Sequence, residues 1–306
     1  MSNISHPFVS VIIPVFNDNE RLINCLEALE NQTYSKKLYE VIVVDNGSNE
    51  SVEKVVEPYT QAFTTHESKP GSYAARNKGI SFAKGEVIAF TDSDCIPAPN
   101  WLETGVNHLL SIPNCGFVAG KIEIFFKNPN CPTAVELYDS VTFLQQKRYV
   151  EHEKYGATAN LFTTKKVLDK VGAFNSNLKS GGDVEWGRRV DQSGYLLFYA
   201  DDSKVLHPAR NSLKQIYKKM VRRSGGIYQM SQLEKSRASI IFSIQSFLHL
   251  FISLRPPIRS ALRKSYLNKK LNTNEQKAKV FTIAMIVHYF DSFENIRMQL
   301  GGVSKR

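Results

Sequence analysis

The sequence predicts an α/β fold, a Rossmann-like and mostly parallel sheet flanked by helices, followed by a helical C-terminal region. Continuous β-branched runs recur at residues 8–15, 41–44 and 87–90, as strands covered on both faces require. Helical periodicity fills the intervals between them. From about Asn211 the pattern is helical alone.

The elements follow in order. Asn17 or Asp18 is placed to cap a helix whose Leu22, Ile23, Leu26 and Leu29 recur at helical spacing. The strand at 41–44 runs into the turn Asp45-Asn46-Gly47-Ser48, good turn chemistry in its own right. Helices are predicted near 51–59 and 72–83, before the strand at 87–90. Residues 116–126 read as a strand pair or one long strand and 158–163 as a strand. Helices follow at 165–171 and 184–192, then a strand at 195–199. No internal repeat or low-complexity tether interrupts the chain. The expected division is a catalytic domain at 1–210 and a helical region at 211–306.

In a doubly wound sheet, ligands sit beyond the carboxyl ends of the strands. Asp45 and the pair Asp92 and Asp94 therefore fall on one rim. Two carboxylates two residues apart after a buried strand repel each other and resist desolvation unless a cation joins them. Oxygen ligands of this kind suit Mg²⁺ or Mn²⁺, which also take phosphate oxygens. Further on, Gly71-Ser72-Tyr73 enters a helix bearing Arg76 and Lys78, and helix starts and cations both attract phosphate. In Gly181-Gly182-Asp183-Val184-Glu185-Trp186, Asp183 stands at a helix start, as a cap or as a general base. His207 follows a strand and is either structural or a further metal ligand.

Composition narrows the classes. Lys and Arg outnumber Asp and Glu by 39 to 29, a net charge of +10, with much of the excess after Lys204. That surplus is either a solvated basic face or a contact for an anionic membrane. No recognition module accompanies it, so nucleic acid is not an expected partner. The 4 cysteines show no CxxC pair, and residues 1–9 lack the signal-peptide layout. Free thiols in a reducing, cytoplasmic setting are expected. Two apolar stretches, 240–254 and 280–290, fall short of the roughly 20 apolar residues of a membrane span. The first is expected as an amphipathic helix that packs on the domain or lies in a membrane interface. No GxGxxG follows the first strand, which excludes a Rossmann dehydrogenase.

Taken together, Val11-Ile12-Ile13-Pro14-Val15-Phe16-Asn17, Val43-Val44-Asp45-Asn46-Gly47-Ser48, Ala75-Arg76-Asn77-Lys78-Gly79 and Thr91-Asp92-Ser93-Asp94 resemble glycosyltransferase family 2 in content, order and spacing. The resemblance covers about residues 8–208. It implies the GT-A fold and inverting transfer from a nucleotide diphosphate-sugar, uridine-linked by default, to a saccharide or lipid-linked hydroxyl acceptor. It implies a role in polysaccharide, lipopolysaccharide or glycolipid synthesis, with peripheral attachment to the inner face of the cell membrane. Pro14, Phe16, Asn17, Asp45, Gly47, Arg76, Asp92 and Ser93 would bind the nucleotide. Asp94, with Asp92 and His207, would hold Mn²⁺ or Mg²⁺. Asp183 would be the catalytic base, with Glu185 in reserve and Trp186 either lining the acceptor pocket or part of the core. The family's Glu-Asp motif reads Gly182-Asp183 here. The competing readings are a non-catalytic nucleotide-sugar-binding homologue and a nucleotidyltransferase, the latter lacking its glycine-rich basic loop after the first strand.

Overall fold

The computed structural model describes residues 6–235 and 255–302. The chain forms two compact units. Unit 1 comprises Met1–Glu123, Leu144–Asn177 and Gly182–His207; unit 2 comprises Ile124–Phe143, Leu178–Gly181 and Pro208–Arg306.

Unit 1 is built on an eight-stranded sheet. Its strands are β1 (Val9–Val15), β2 (Tyr39–Asp45), β3 (Ala62–His66), β4 (Val87–Thr91), β5 (Ile96–Pro97), β6 (Cys115–Phe125), β7 (Asn160–Thr164) and β8 (Leu196–Pro208). They lie in the order β3-β2-β1-β4-β7-β6-β8-β5. β1 runs parallel to β2 and β4, and β2 parallel to β3, whereas β7 is antiparallel to both β4 and β6, and β5 antiparallel to β8. The sheet is thus mixed: the doubly wound half keeps the parallel pattern, and an antiparallel half extends it. Val11, Ile12, Ile13, Val41, Ile42, Val43, Ile88, Ala89 and Phe90 are fully buried, which explains why these strands read as unbroken apolar runs.

The helices α1 (Asn19–Glu30), α2 (Glu53–Val56), α3 (Ser72–Phe82) and α4 (Trp101–Ser111) follow in sequence. α1 turns Leu22, Cys25, Leu26 and Leu29 inward. Ile23, expected on that face, is 40% exposed, because the inward stripe runs through Cys25 instead. β3 was not legible as an element, since Ala62–His66 is mostly half-buried and gives no apolar run, and α4 was not predicted although Leu102, Val106 and Leu109 recur at helical spacing. Residues 116–126 resolve as the single strand β6, and β8 has 13 residues where five were expected.

Unit 2 holds α5 (Ala134–Thr142), while α6 (Gln146–Arg148), α7 (Lys165–Val171) and α8 (Gly182–Gln192) belong to unit 1. Unit 2 continues with α9 (Leu213–Lys235), α10 (Ile258–Lys264) and α11 (Asn274–Gln299). Its core gathers Val135, Leu137, Tyr138 and Val141 with Ile216, Met220, Val280, Ile283, Ala284 and Val287. The apolar stretch at 280–290 therefore packs within its own unit through one helical face. The stretch at 240–254 lies outside the described residues. Among the described residues no helix is long and apolar enough to cross a membrane.

Candidate active site

The strand order reverses between β1 and β4, and in sheets of this kind the carboxyl ends at such a switch point are where ligands sit. Two loops from this rim are laced together. Asn17, in a left-handed conformation at φ 52°, donates its N–H to Ser48 Oγ at 2.9 Å, and its Oδ1 accepts from the N–H of Asn49 at 2.8 Å. Ser48 donates its own N–H to Asp45 Oδ1 at 2.9 Å, and Gly47 supplies the φ of 86° that the turn needs. The other Asp45 oxygen lies 3.6 Å from His66 Nδ1 at the end of β3. Pro14 is half-buried in β1 opposite Val44, and Phe16 is 45% exposed.

The Asp92–Asp94 turn follows β4 directly. Thr91 pairs with Asn160, which is fully buried and accepts from Trp101 Nε1 at 2.8 Å while donating to the carbonyls of Lys121 and Ser203 at 2.9 Å. This network pins β4, β6, β7 and β8 beneath the turn. The β5–β8 ladder pairs Ile96 with Leu206, which brings the next residue, His207, up to the acids. One ligand atom each of Asp92, Asp94 and His207 lie within 4.8 Å of one another, and His207 Nε2 is 3.6 Å from Asp94 Oδ1.

Two arginines stand among these acids. Arg76 is buried and its terminal nitrogen donates to Asp92. Arg21 bridges Asp18 at 2.7 Å and Asp94 at 3.4 Å. Ser93 Oγ donates to the second Asp18 oxygen at 3.0 Å. Asp18 occupies the cap position of α1 yet makes no side-chain cap bond, because its carboxylate is spent on Arg21 and Ser93. Burial raises its pKa, and the charge of Asp94 adds to that, against Arg21 and Ser93. Cys25 and Cys95 lie buried behind the turn, and burial together with the acids raises both thiols far out of the thiolate range.

Asp183 enters from the first turn of α8. Tyr73 Oη donates to its Oδ1 at 3.0 Å, as does the N–H of Val184, also at 3.0 Å. Burial raises the Asp183 pKa, opposed by the Tyr73 hydrogen bond and the Arg76 charge. Tyr73 and Arg76 are one helical turn apart on α3, so a single helix reaches both Asp183 and Asp92. Asn46 sets the start of that helix: it accepts from the N–H of Gly71 at 2.7 Å and donates to the carbonyls of Glu67 and Lys69 at 2.8 Å. A Cβ on Gly182 would stand 2.8 Å from the Tyr73 ring. The Tyr73 side chain therefore occupies the space that an acidic residue at 182 would need.

Glu185 and Trp186 are engaged elsewhere. Glu185 is held by Arg189 through contacts of 2.7 and 3.0 Å. Trp186 is fully buried, donates to the Gly172 carbonyl at 2.9 Å and packs among Phe117 and Phe174, so it belongs to the core rather than to a pocket wall. Sequence reasoning passed over Asp18, Arg21, Tyr73 and the stacked pair Tyr149 and Tyr155, with centroids 4.7 Å apart. After burial, the Asp183 charge is among the causes that raise the Tyr155 phenol. The available signal was Tyr73, three residues before Arg76.

The comparisons agree with this architecture. A model of glycosyl transferase family 2 matches residues 10–175. The chain is 39% identical over 256 residues to the glycosyltransferase AglE of Haloferax volcanii, covering 82% of this chain and 83% of the relative. It is 24% identical over 264 residues to the dolichyl N-acetyl-alpha-D-glucosaminyl phosphate 3-beta-D-2,3-diacetamido-2,3-dideoxy-beta-D-glucuronosyltransferase of Methanococcus voltae, covering 81% of each. In fold it matches a mannosyltransferase from Pyrobaculum calidifontis, solved with GDP-Man and Mn²⁺, with a TM-score of 0.64 at 17% identity over 97% of this chain and 88% of the other. The acid-bearing switch point, the family match and the extent of likeness converge: the chain is a glycosyltransferase and belongs to glycosyltransferase family 2.

Proposed function

We propose that the protein transfers a sugar from a nucleoside-diphosphate sugar to a hydroxyl acceptor with inversion at the anomeric carbon. The observation that carries this reading is the convergence of one ligand atom each of Asp92, Asp94 and His207 within 4.8 Å at the switch point of the sheet. Two carboxylates and an imidazole suit Mn²⁺, and Mg²⁺ if the carboxylates dominate. Asp94, Asp92 and His207 would hold the cation, which when bound neutralises the charge that gathers on the departing diphosphate. The solved mannosyltransferase with GDP-Man and Mn²⁺ supports a donor and metal of these classes.

The chain's own residues do the rest. Asp45, beside the Gly47 turn, accepts from the base, while Pro14, Phe16 and Asn17 flank it. Arg76 orients Asp92 toward the ribose and diphosphate, and Ser93, held by Asp18, stands beside them for the nucleotide. Asp183 takes the proton of the acceptor hydroxyl as that oxygen attacks from the face opposite the diphosphate. Its half-buried position favours this role, because a raised pKa makes a carboxylate a stronger base.

We assign this chemistry to residues 1–210. The helical region 211–306, with its basic surplus, is assigned to docking of an acceptor at the inner face of a membrane, in glycolipid or polysaccharide synthesis. The Methanococcus voltae relative, by its name a transferase acting on a dolichyl-linked phosphate sugar, supports a lipid-linked acceptor.

Calorimetric titration of the protein with UDP, GDP and dTDP, each with Mn²⁺ and with EDTA, tests the reading. Metal-dependent binding of one nucleotide is expected, the uridine form first and the guanosine form next. Folded protein that binds none of the three would sink it.

A further inference from the structure

Three cations stand against two aromatic rings in unit 2, and two exposed arginines add their charge. Lys219 Nζ stands 3.3 Å from the centroid of Phe143, and the Arg210 guanidinium carbon 5.9 Å from the same ring. Lys264 Nζ lies 5.9 Å from the ring of Tyr138, which meets Phe143 edge-on at 6.1 Å. Arg222 and Arg223 act on Lys219 from the next turn of α9, and Arg223 also acts on Lys264.

Asp139 and Asp291 are the carboxylates that oppose this charge. Asp139 is fully buried and already taken: it accepts from the Arg210 N–H at 3.0 Å and from the guanidinium at 3.1 and 3.3 Å. Asp291 accepts from Ser224 at 3.3 Å. Neither lysine forms an ion pair or hydrogen bond with a described residue; each has only its aromatic neighbour. A cation–π contact is weak and leaves the three ammonium N–H donors unmet. Both lysines are half-buried. Burial lowers their pKa values, Lys219 well below the lysine range, and the neighbouring arginines push the same way. A chain that holds uncompensated cations together against desolvation does so at a cost in stability.

We propose that Lys219, Arg223 and Lys264, with the Asp139-paired Arg210 at their edge, form a binding site for a phosphate group, carried as a monoester or diphosphate, free in solution or at the head of a lipid. A doubly charged phosphate with several acceptor oxygens answers cations that converge from separate elements, which a single carboxylate does not. Phe143 and Tyr138 wall the cluster with apolar surface, which strengthens each charge contact. The site lies wholly in unit 2 and does not rest on the transfer reaction proposed for unit 1.

The test uses the full-length protein in EDTA, so that the acidic cluster of unit 1 contributes nothing. Inorganic phosphate is titrated by calorimetry and by its effect on Tm. Flotation is measured with phosphatidylcholine vesicles doped with phosphatidic acid, a phosphomonoester, or with phosphatidylglycerol, a diester. Lys219→Gln should weaken phosphate binding about tenfold or more, the worth of a charge-assisted contact. Lys270→Gln, which removes an exposed charge from the same unit, should change it less than about twofold. Without phosphate, Lys219→Gln should melt no lower than the native protein, because it relieves a half-buried charge that has no anionic partner of its own. Flotation on phosphatidic acid that is lost in Lys219→Gln assigns the site to a lipid phosphate; phosphate binding without flotation assigns it to a soluble one. The proposal is overturned if neither phosphate probe binds, or if both lysine variants weaken binding equally. It is also overturned if Lys219→Gln melts lower while binding is unchanged. Asp94→Ala, which should abolish metal-dependent nucleotide binding, should bind phosphate as the native chain does, so failure of either reading is seen separately.

Discussion

At the sheet rim of unit 1, the carboxylates of Asp18, Asp92 and Asp94 share two arginines and His207. In unit 2, Arg210, Lys219 and Lys264 around Phe143 and Tyr138, with the charges of Arg222 and Arg223 added, share Asp139 and Asp291. The imbalance has opposite sign in the two places, and each contrasts with a balanced pair nearby in its own unit. Glu185 with Arg189, and Asp139 with Arg210, are closed ion pairs that complete local structure. Surplus charge of one sign at a partly desolvated place is a different matter. It persists in a folded chain when a ligand of the other sign supplies the missing partner.

The sharpest way to break this comparison is at Asp94. Asp94→Ala should lower kcat about a thousandfold or more and abolish saturable Mn²⁺ binding, since metal stabilisation of a leaving group amounts to several kcal/mol. Turnover assays and Mn²⁺ titration check it; near-native values would return the acids to structural duty.

Arg210→Met tests the balanced side. It leaves a fully buried Asp139 without its cation and should cost about 3–5 kcal/mol of stability, read from denaturant unfolding.

Asp183→Asn separates activity from stability. Transfer should fall about 10²–10⁴-fold while nucleotide binding is kept. The folded pKa of Asp183 is raised, so the carboxyl's contribution to stability is full below the ordinary aspartate range and is lost as pH rises through the folded value. Asparagine avoids that loss, so the variant should melt higher at neutral pH, with the gain fading as pH falls. A variant that melts lower at pH 7 would count against the desolvated base.

The smallest effect is expected at Gly182. Gly182→Ala should destabilise by about 1–3 kcal/mol, because its Cβ meets the Tyr73 ring at 2.8 Å. Adding Tyr73→Ala should recover part of that loss in a double-mutant cycle.

Much of unit 1 was legible because its signals are local. β1, β2 and β4 are covered on both faces, so burial alone forces the apolar runs, and Asp45, Asp92 and Asp94 follow those runs directly. β3 escaped because its residues are half-buried. Trp186 illustrates an alternative that sequence leaves open. An aromatic residue beside a candidate base is compatible with a pocket wall or with core, and its 0% exposure shows it to be core. In unit 2 the amphipathic face of α11 was visible as an apolar stretch, but its partners on α5 and α9 lie far away in the chain.

The sequence by itself determined the parallel half of the sheet, the rim on which the acids stand and the family. Each of these depends on residue types at short, ordered spacings. Only the tertiary structure decided what those acids face. His207 reaches Asp94 through the β5–β8 register, Arg21 and Arg76 meet the acids from two helices, and Tyr73 both holds Asp183 and excludes a side chain at 182. The cations of unit 2 likewise gather from α9, α10 and the segment before α9. Charge–charge energies depend on distance and local dielectric, and both are set by chain crossings between residues remote in sequence.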